Sequence, residues 1–175
     1  MPDAFLDELR ETIRTIPDFP IDGIMFRDIS PVLSGAGLLA KVTDRFVEDI
    51  EKLGWKPDVI VGPEARGFIF GPLLAERLEI GFVPVRKPGK LPAETHRVEY
   101  TLEYGSNVLE MHKDAISEGQ RVVIIDDLLA TGGTISACAE LCQASGGEVL
   151  GALFLIELEG LDARSSIAPI PAHAL

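Results

Sequence analysis

Hydrophobic positions along the chain follow two periods. Phe5, Leu9 and Ile13 recur every fourth residue and predict an amphipathic helix that ends before Pro17. Leu38, Leu39, Val42, Phe46, Ile50 and Leu53 form a second helical stripe. Between them, PDFPIDGIMFRDISP (17–31) is dense in turn formers and predicts an irregular lobe. Downstream the pattern shortens. Val59-Ile60-Val61 reads as a buried strand, followed by the loop GPEARGF and a helix through Leu78. Phe82 to Val85 reads as a further strand, whereas residues 86–97 show no core pattern. Val98 to Glu103 and Val108 to Met111 predict two strands flanking the turn Tyr104-Gly105-Ser106. Arg121 to Ile125 is a continuous apolar run of the kind buried on both faces of a sheet. A helix over 133–144 and a last core strand, Val149 to Glu157, complete the pattern. Strands alternating with helices define an α/β fold with a central parallel sheet flanked by helices.

Composition narrows the class. With 175 residues, 46% hydrophobic and 25% charged, the chain has the make-up of one globular domain, 1–175. Its expected parts are an N-terminal appendage of about 1–34, a core of about 35–160 and a tail of about 161–175. The longest nearly apolar run, Val149 to Ile156, is far shorter than the roughly 18 residues a membrane span needs. The start, MPDAFLDELRE, is acidic where a secretory leader is basic and then apolar. Two cysteines support no disulfide framework, so a cytoplasmic location is expected. The net charge of −12 speaks against nucleic acid or anionic membrane as a partner. Cys138 and Cys142 stand one helical turn apart. With His96, His112 and His173 scattered, they read as a core-facing stripe rather than a metal site.

The sharpest chemical signal is VVIIDDLLATGGT (122–134). Four apolar residues bury a strand, and Asp126 and Asp127 emerge at its carboxyl end. A turn of Ala130, Thr131, Gly132, Gly133 and Thr134 then opens a helix. In an open α/β sheet ligands bind at such a place. The glycines allow close backbone approach, and the free N–H groups of a helix start suit a phosphate. The two carboxylates repel that same phosphate. They fit instead as acceptors for sugar hydroxyls or as stabilisers of a cationic sugar centre. The string is neither a GK[ST] phosphate loop nor a GxGxxG dinucleotide turn.

Three further segments add to it. Gly62 to Phe68 also joins a strand to a helix, and the backbone at Ala65 with Arg66 makes an anion site, although an arginine there is more often merely solvated. RKPGKLPAETHR (86–97) carries Arg86, Lys87 and Lys90 on an otherwise acidic chain. It reads either as a solvated basic loop or as a mobile lid over an anionic substrate. By itself, FRDISP (26–31) is a capped turn with a buried Phe and an ion pair.

Taken together, these motifs resemble the type I phosphoribosyltransferases, and KPGKLPAET, YTLEYG and FRDISP resemble the adenine-specific members. The similarity runs from about Phe19 to Glu157. It implies transfer of a phosphoribosyl group from phosphoribosyl pyrophosphate to adenine, giving AMP and pyrophosphate in purine salvage. It also implies Mg²⁺ carried on the substrate with no direct protein ligand, a homodimer, a small N-terminal hood and a flexible lid loop. Residues 130–134 are then expected at the 5′-phosphate and Asp126 and Asp127 at the ribose hydroxyls. Ala65, Arg66, Arg86, Lys87 and Lys90 are expected at the pyrophosphate, with a cis peptide between Glu64 and Ala65. Met25, Phe26, Arg27 and Leu128 would surround the base. Glu103 would act as general acid/base, with Arg66 and Lys87 beside it in the catalytic set. Met25 stands where the family usually has a smaller β-branched residue, and LDARSSI (161–167) departs from the family's glycine-containing form. The alternatives are a phosphoribosyltransferase for another base and a non-catalytic regulator that senses phosphoribosyl pyrophosphate. FRDISP and LEYG speak against the first, and the acidic balance against a nucleic-acid-binding form of the second.

Overall fold

Asp3 accepts hydrogen bonds from the N–H groups of Phe5 and Leu6, and this cap starts helix α1 (Ala4–Thr12). The computed structural model describes residues 3–102 and 105–175. Strand β1 (Arg14–Ile16) pairs antiparallel with β2 (Phe26–Asp28), matching Arg14 with Asp28 and Thr15 with Arg27. The segment expected to be irregular therefore holds half of a small ladder. Strands of three residues are too short to show a period of two. Asp28 anchors the turn that follows: Ser30 and Arg14 hold its carboxyl down at about 2. Helices α2 (Ser30–Ser34) and α3 (Leu38–Lys52) come next. The chain divides into two compact units, Met1–Asp44 and Arg45–Leu175, with the boundary inside α3.

The second unit is built on strands β3 (Val59–Pro63) and β4 (Gly81–Val85), joined by helix α4 (Gly67–Arg77). An antiparallel ribbon follows, β5 (Thr95–Leu102) with β6 (Gly105–His112). Then come β7 (Arg121–Leu129), α5 (Gly133–Ala144), β8 (Glu148–Glu157), the short α6 (Ala163–Ser166) and β9 (Ala172–Ala174). β4, β3, β7, β8 and β9 form one parallel sheet in that order. Pro84 lies in β4, at the edge, where its missing N–H leaves no gap in the ladder.

Alternation sorts the side chains of the sheet. Val59, Val61, Val122, Ile124, Ala152 and Phe154 enter one buried cluster with Ile135, Cys138, Leu141 and Cys142 of α5. The intervening Ile60, Val123, Ile125 and Leu153 are equally buried and point to the opposite face, as a strand's pleat requires. Phe46 of α3 meets Phe70 of α4 edge to face at 6.2 Å. Both cysteines lie in the core, as their spacing predicted, and burial pushes the Cys142 thiol up to about 12. The ribbon begins three residues earlier than Val98, because Thr95, His96 and Arg97 pair with His112, Met111 and Glu110.

Candidate active site

The position of the site follows from strand order. β3 leads on to β4 on one side, and β7 leads on to β8 on the other. Connections therefore diverge between the neighbours β3 and β7, and such a switch point leaves a crevice at the carboxyl ends of the strands. The register Val61↔Ile124 brings the loop after β3 level with the acidic end of β7.

A cavity of about 250 Å³ opens there. Glu64, Ala65 and Arg66 line it from the first loop, and Asp126, Asp127 and Thr134 from the second. Lys87, Tyr100 and Asn107 also line it, with Val108 and Leu109. The Glu64–Ala65 peptide is cis, at the bond that the resemblance marked. Arg66 Nε stands 2.9 Å from Asp127 Oδ2, and the Asp127 side chain is only 3% exposed. The backbone N–H of Asp127 donates to Asp126 Oδ1 at 2.9 Å. Burial, reinforced by the charge of Asp127, pushes Asp126 up to about 8. Burial raises Asp127 too, and the Arg66 guanidinium works against it. Two crowded carboxylates with one guanidinium leave this floor short of positive charge.

That crowding predicts a stability effect. The native protein keeps a proton on Asp126 that an unfolded chain releases near the ordinary carboxylate value of about 4. Stability is therefore fully present below that value and is lost as pH rises to about 8. Asp126→Asn is expected to flatten this decline. Melting temperatures of the ligand-free proteins should converge near pH 4 and favour the variant at pH 8. Parallel curves would show that Asp126 carries no such proton.

A smaller hollow of about 70 Å³ adjoins the cavity, lined by Asp126, Leu128 and the turn Ala130 to Thr134. Gly132 caps α5 with φ of +88°, in the left-handed region. The first N–H groups of α5 have no intrahelical acceptor, and the residues that carry them line the hollow, so they form a cup of donors that suits an anion. Tyr100 Oη lies 3.3 Å from Thr134 Oγ1 and ties the ribbon to this turn.

The basic segment 86–94 crosses from β4 to β5 beside the cavity. Arg86 exchanges both backbone hydrogen bonds with Glu110, at 2.9 and 2.7 Å. Its Nε donates to Glu64 Oε2 at 3.1 Å, and the Lys87 N–H reaches the same oxygen at 3.2 Å. Burial opposes ionisation of Glu64, but these two donors outweigh it and hold the carboxyl below its usual range. The Lys87 and Lys90 side chains are exposed. Arg86 is thus engaged with Glu64, whereas Lys87 is exposed at the cavity wall and Lys90 is exposed beyond it.

In the first unit, Met25 is 53% exposed and Phe26 packs edge to face on Phe19 at 5.1 Å. Arg27 donates to the Thr15 hydroxyl. Glu103 lies outside the described residues. Tyr100 and Asn107 enter the site although no sequence motif gives either of them a role. The period-two pair Val98 and Tyr100, both packed on the core, is a signal that could have found the first of them.

The chain matches the phosphoribosyl transferase domain over residues 30–174, and it belongs to that family. Its fold, a parallel sheet flanked by helices, is the type I phosphoribosyltransferase fold. The relatives are more particular. The adenine phosphoribosyltransferase of Rippkaea orientalis is 53% identical over 168 residues, covering 96% of this chain and 98% of that one. The crystal structure of adenine phosphoribosyltransferase from Thermoanaerobacter pseudethanolicus superposes with a TM-score of 0.94 at 55% identity, covering 97% and 98% of the two chains. The Saccharomyces cerevisiae adenine phosphoribosyltransferase, complexed with an imino-altritol bisphosphate and adenine, also gives 0.94, at 42% identity and 98% coverage of each.

Proposed function

We propose that this chain is a pentosyltransferase that moves the 5-phosphoribosyl group from phosphoribosyl pyrophosphate to adenine, giving AMP and pyrophosphate in purine salvage. The observation that carries the reading is the joining of a donor cup to an acidic-floored cavity at one switch point. This pairing occurs in a chain 53% identical to an adenine phosphoribosyltransferase over nearly its whole length.

In this reading the turn Ala130 to Thr134, with the start of α5, holds the 5′-phosphate. Asp126 and Asp127 accept hydrogen bonds from the ribose hydroxyls. As the bond from C1′ to the pyrophosphate oxygen breaks, positive charge develops on the sugar; the Asp127 carboxylate beneath offsets it, and that charge also favours release of the Asp126 proton. Ala65, Arg66, Arg86, Lys87 and Lys90 receive the departing pyrophosphate. Arg66 serves both ends, since it already pairs with Asp127. The new bond joins adenine N9 to C1′, and the N9 proton passes to a general base, the role the resemblance gives Glu103. The roles of Met25, Phe26, Arg27 and Leu128 toward the base, and of Glu103 as general acid/base, rest on the sequence resemblance.

Mg²⁺ belongs to the same proposal. The carboxylate oxygens of Asp126 and Asp127 are the donor type that a hard cation takes. They fit as supports for an ion held mainly by the substrate's own oxygens, because Asp127 is already engaged by Arg66. The ion would supply charge neutralisation on the leaving pyrophosphate. A homodimer and a cytoplasmic location complete the reading. Among the described residues, no helix is long and apolar enough to cross a membrane.

The test offers purified protein phosphoribosyl pyrophosphate and Mg²⁺ with adenine, hypoxanthine, guanine, xanthine or orotate separately. Adenine presents a donor at N6 and an acceptor at N1, and the 6-oxopurines reverse both. Adenine is therefore expected to exceed the other bases by about a hundredfold or more in kcat/KM. Preference for another base would move the specificity. Binding of phosphoribosyl pyrophosphate without turnover of any base would make the chain a sensor.

A further inference from the structure

The segment after β8 read as a tail in the sequence, yet it packs against the turn that forms the donor cup. A Cβ added to Gly132 would stand 2.8 Å from Ile167 Cγ2, 3.0 Å from the Ala163 carbonyl oxygen and 3.3 Å from Ser166 Cβ. Ile167 is 1% exposed and Ala163 is 4% exposed. The bare face of Gly132 therefore rests directly on α6 and the residue after it. In an interior packed to solid density, that contact leaves the turn nowhere to retreat.

Polar ties hold the segment in this position. Arg164 clasps Glu157 at the end of β8, with Nε to Oε1 at 2.8 Å and Nη2 to Oε2 at 2.6 Å. Its Nη1 donates to the Ala172 carbonyl at 2.7 Å, so one guanidinium joins β8, α6 and β9. β9 adds to the sheet edge in register with Ala152, Leu153 and Phe154. At its centre, His173 Nε2 stands 2.9 Å from Oδ2 of Asp49 on α3. Neither Arg164 nor Ile167 lines the cup itself.

We propose that Ile167 and Arg164 are positioning residues for the cup: Ile167 fixes Gly132 from behind, and Arg164 holds Ile167 in place. Docking of the C-terminal segment then sets the affinity for ligands that carry a 5′-phosphate. The inference rests on the reading of residues 130–134 as the 5′-phosphate site. The physical reason is directional. Helix-start N–H groups must converge on a few phosphate oxygens, and hydrogen bonds weaken steeply when the donors swing away. A turn relieved of its support keeps its residues but loses their convergence.

The experiment compares the wild type with Ile167→Ala, Ile167→Val, Arg164→Ala and Thr131→Ala. It measures AMP affinity by calorimetry, KM for each substrate, kcat and thermal melting, all at a temperature where every variant is folded. Ile167→Ala and Arg164→Ala are expected to weaken AMP binding and raise KM for phosphoribosyl pyrophosphate by about tenfold. KM for adenine should stay near the wild-type value, and Ile167→Val should recover most of the loss. Thr131→Ala, which alters the cup directly, should also weaken AMP. If Thr131→Ala weakens AMP while Ile167→Ala and Arg164→Ala do not, the positioning role falls and the phosphate site stands. If KM for both substrates rises equally, the segment supports only the fold and the proposal is overturned. Unchanged AMP affinity in Thr131→Ala would remove the phosphate site, and the inference with it.

Discussion

Asp127→Asn is expected to lower kcat/KM by about 10²- to 10³-fold in a protein that still folds. Asp127 lies at the end of the central strand β7, and its side chain is 3% exposed. Asparagine keeps the shape and removes the charge. In the proposed reaction the lost charge lies beneath a sugar that becomes cationic only as pyrophosphate leaves. The deficit should therefore fall more on kcat than on either KM. Folding should survive for two reasons. The substitution removes a buried charge, and Arg66, 41% exposed, keeps access to water when its partner is neutralised. The check is steady-state kinetics with both substrates alongside a melting curve. A folded variant with unchanged kcat/KM would remove Asp127 from the chemistry.

Gly132→Ala should destabilise the protein by about 2–5 kcal/mol and weaken AMP binding as well. Two independent terms add. At φ of +88° any side chain is strained, by roughly 1–2 kcal/mol. The new methyl would also meet Ile167 Cγ2 at 2.8 Å and the Ala163 carbonyl oxygen at 3.0 Å, and overpacking of this kind costs about 1–3 kcal/mol. Gly89 supplies the control. Its φ is +74°, but a Cβ there meets nothing within 4 Å, so Gly89→Ala carries the strain alone. Denaturant titrations of both variants give the packing contribution by difference. Equal losses would mean that α6 does not press on the turn.

Local patterns carried much of this protein. Runs such as Val59 to Val61 and Val122 to Ile125 declare buried parallel strands, because a strand covered on both faces has no polar side to show. The TGGT turn declares a helix start, because its conformation is set by neighbours in sequence; the Asp-Asp pair does not close the strand, since β7 runs through both aspartates to Leu129 by pairing with β8. Short elements were illegible for the same reason. β1, β2 and β9 span three residues each, too few for a period, and they exist only through their partners.

The sequence by itself determined the α/β class, the phosphate-type turn and the family resemblance, since each resides in contiguous residues. Tertiary structure alone decided the rest. It paired Arg66 with Asp127, it placed Tyr100 beside Thr134, and it set Ile167 behind Gly132. These contacts join residues some 30 to 60 positions apart. Strand order and register bring them together, and no local propensity records which strand lies beside which.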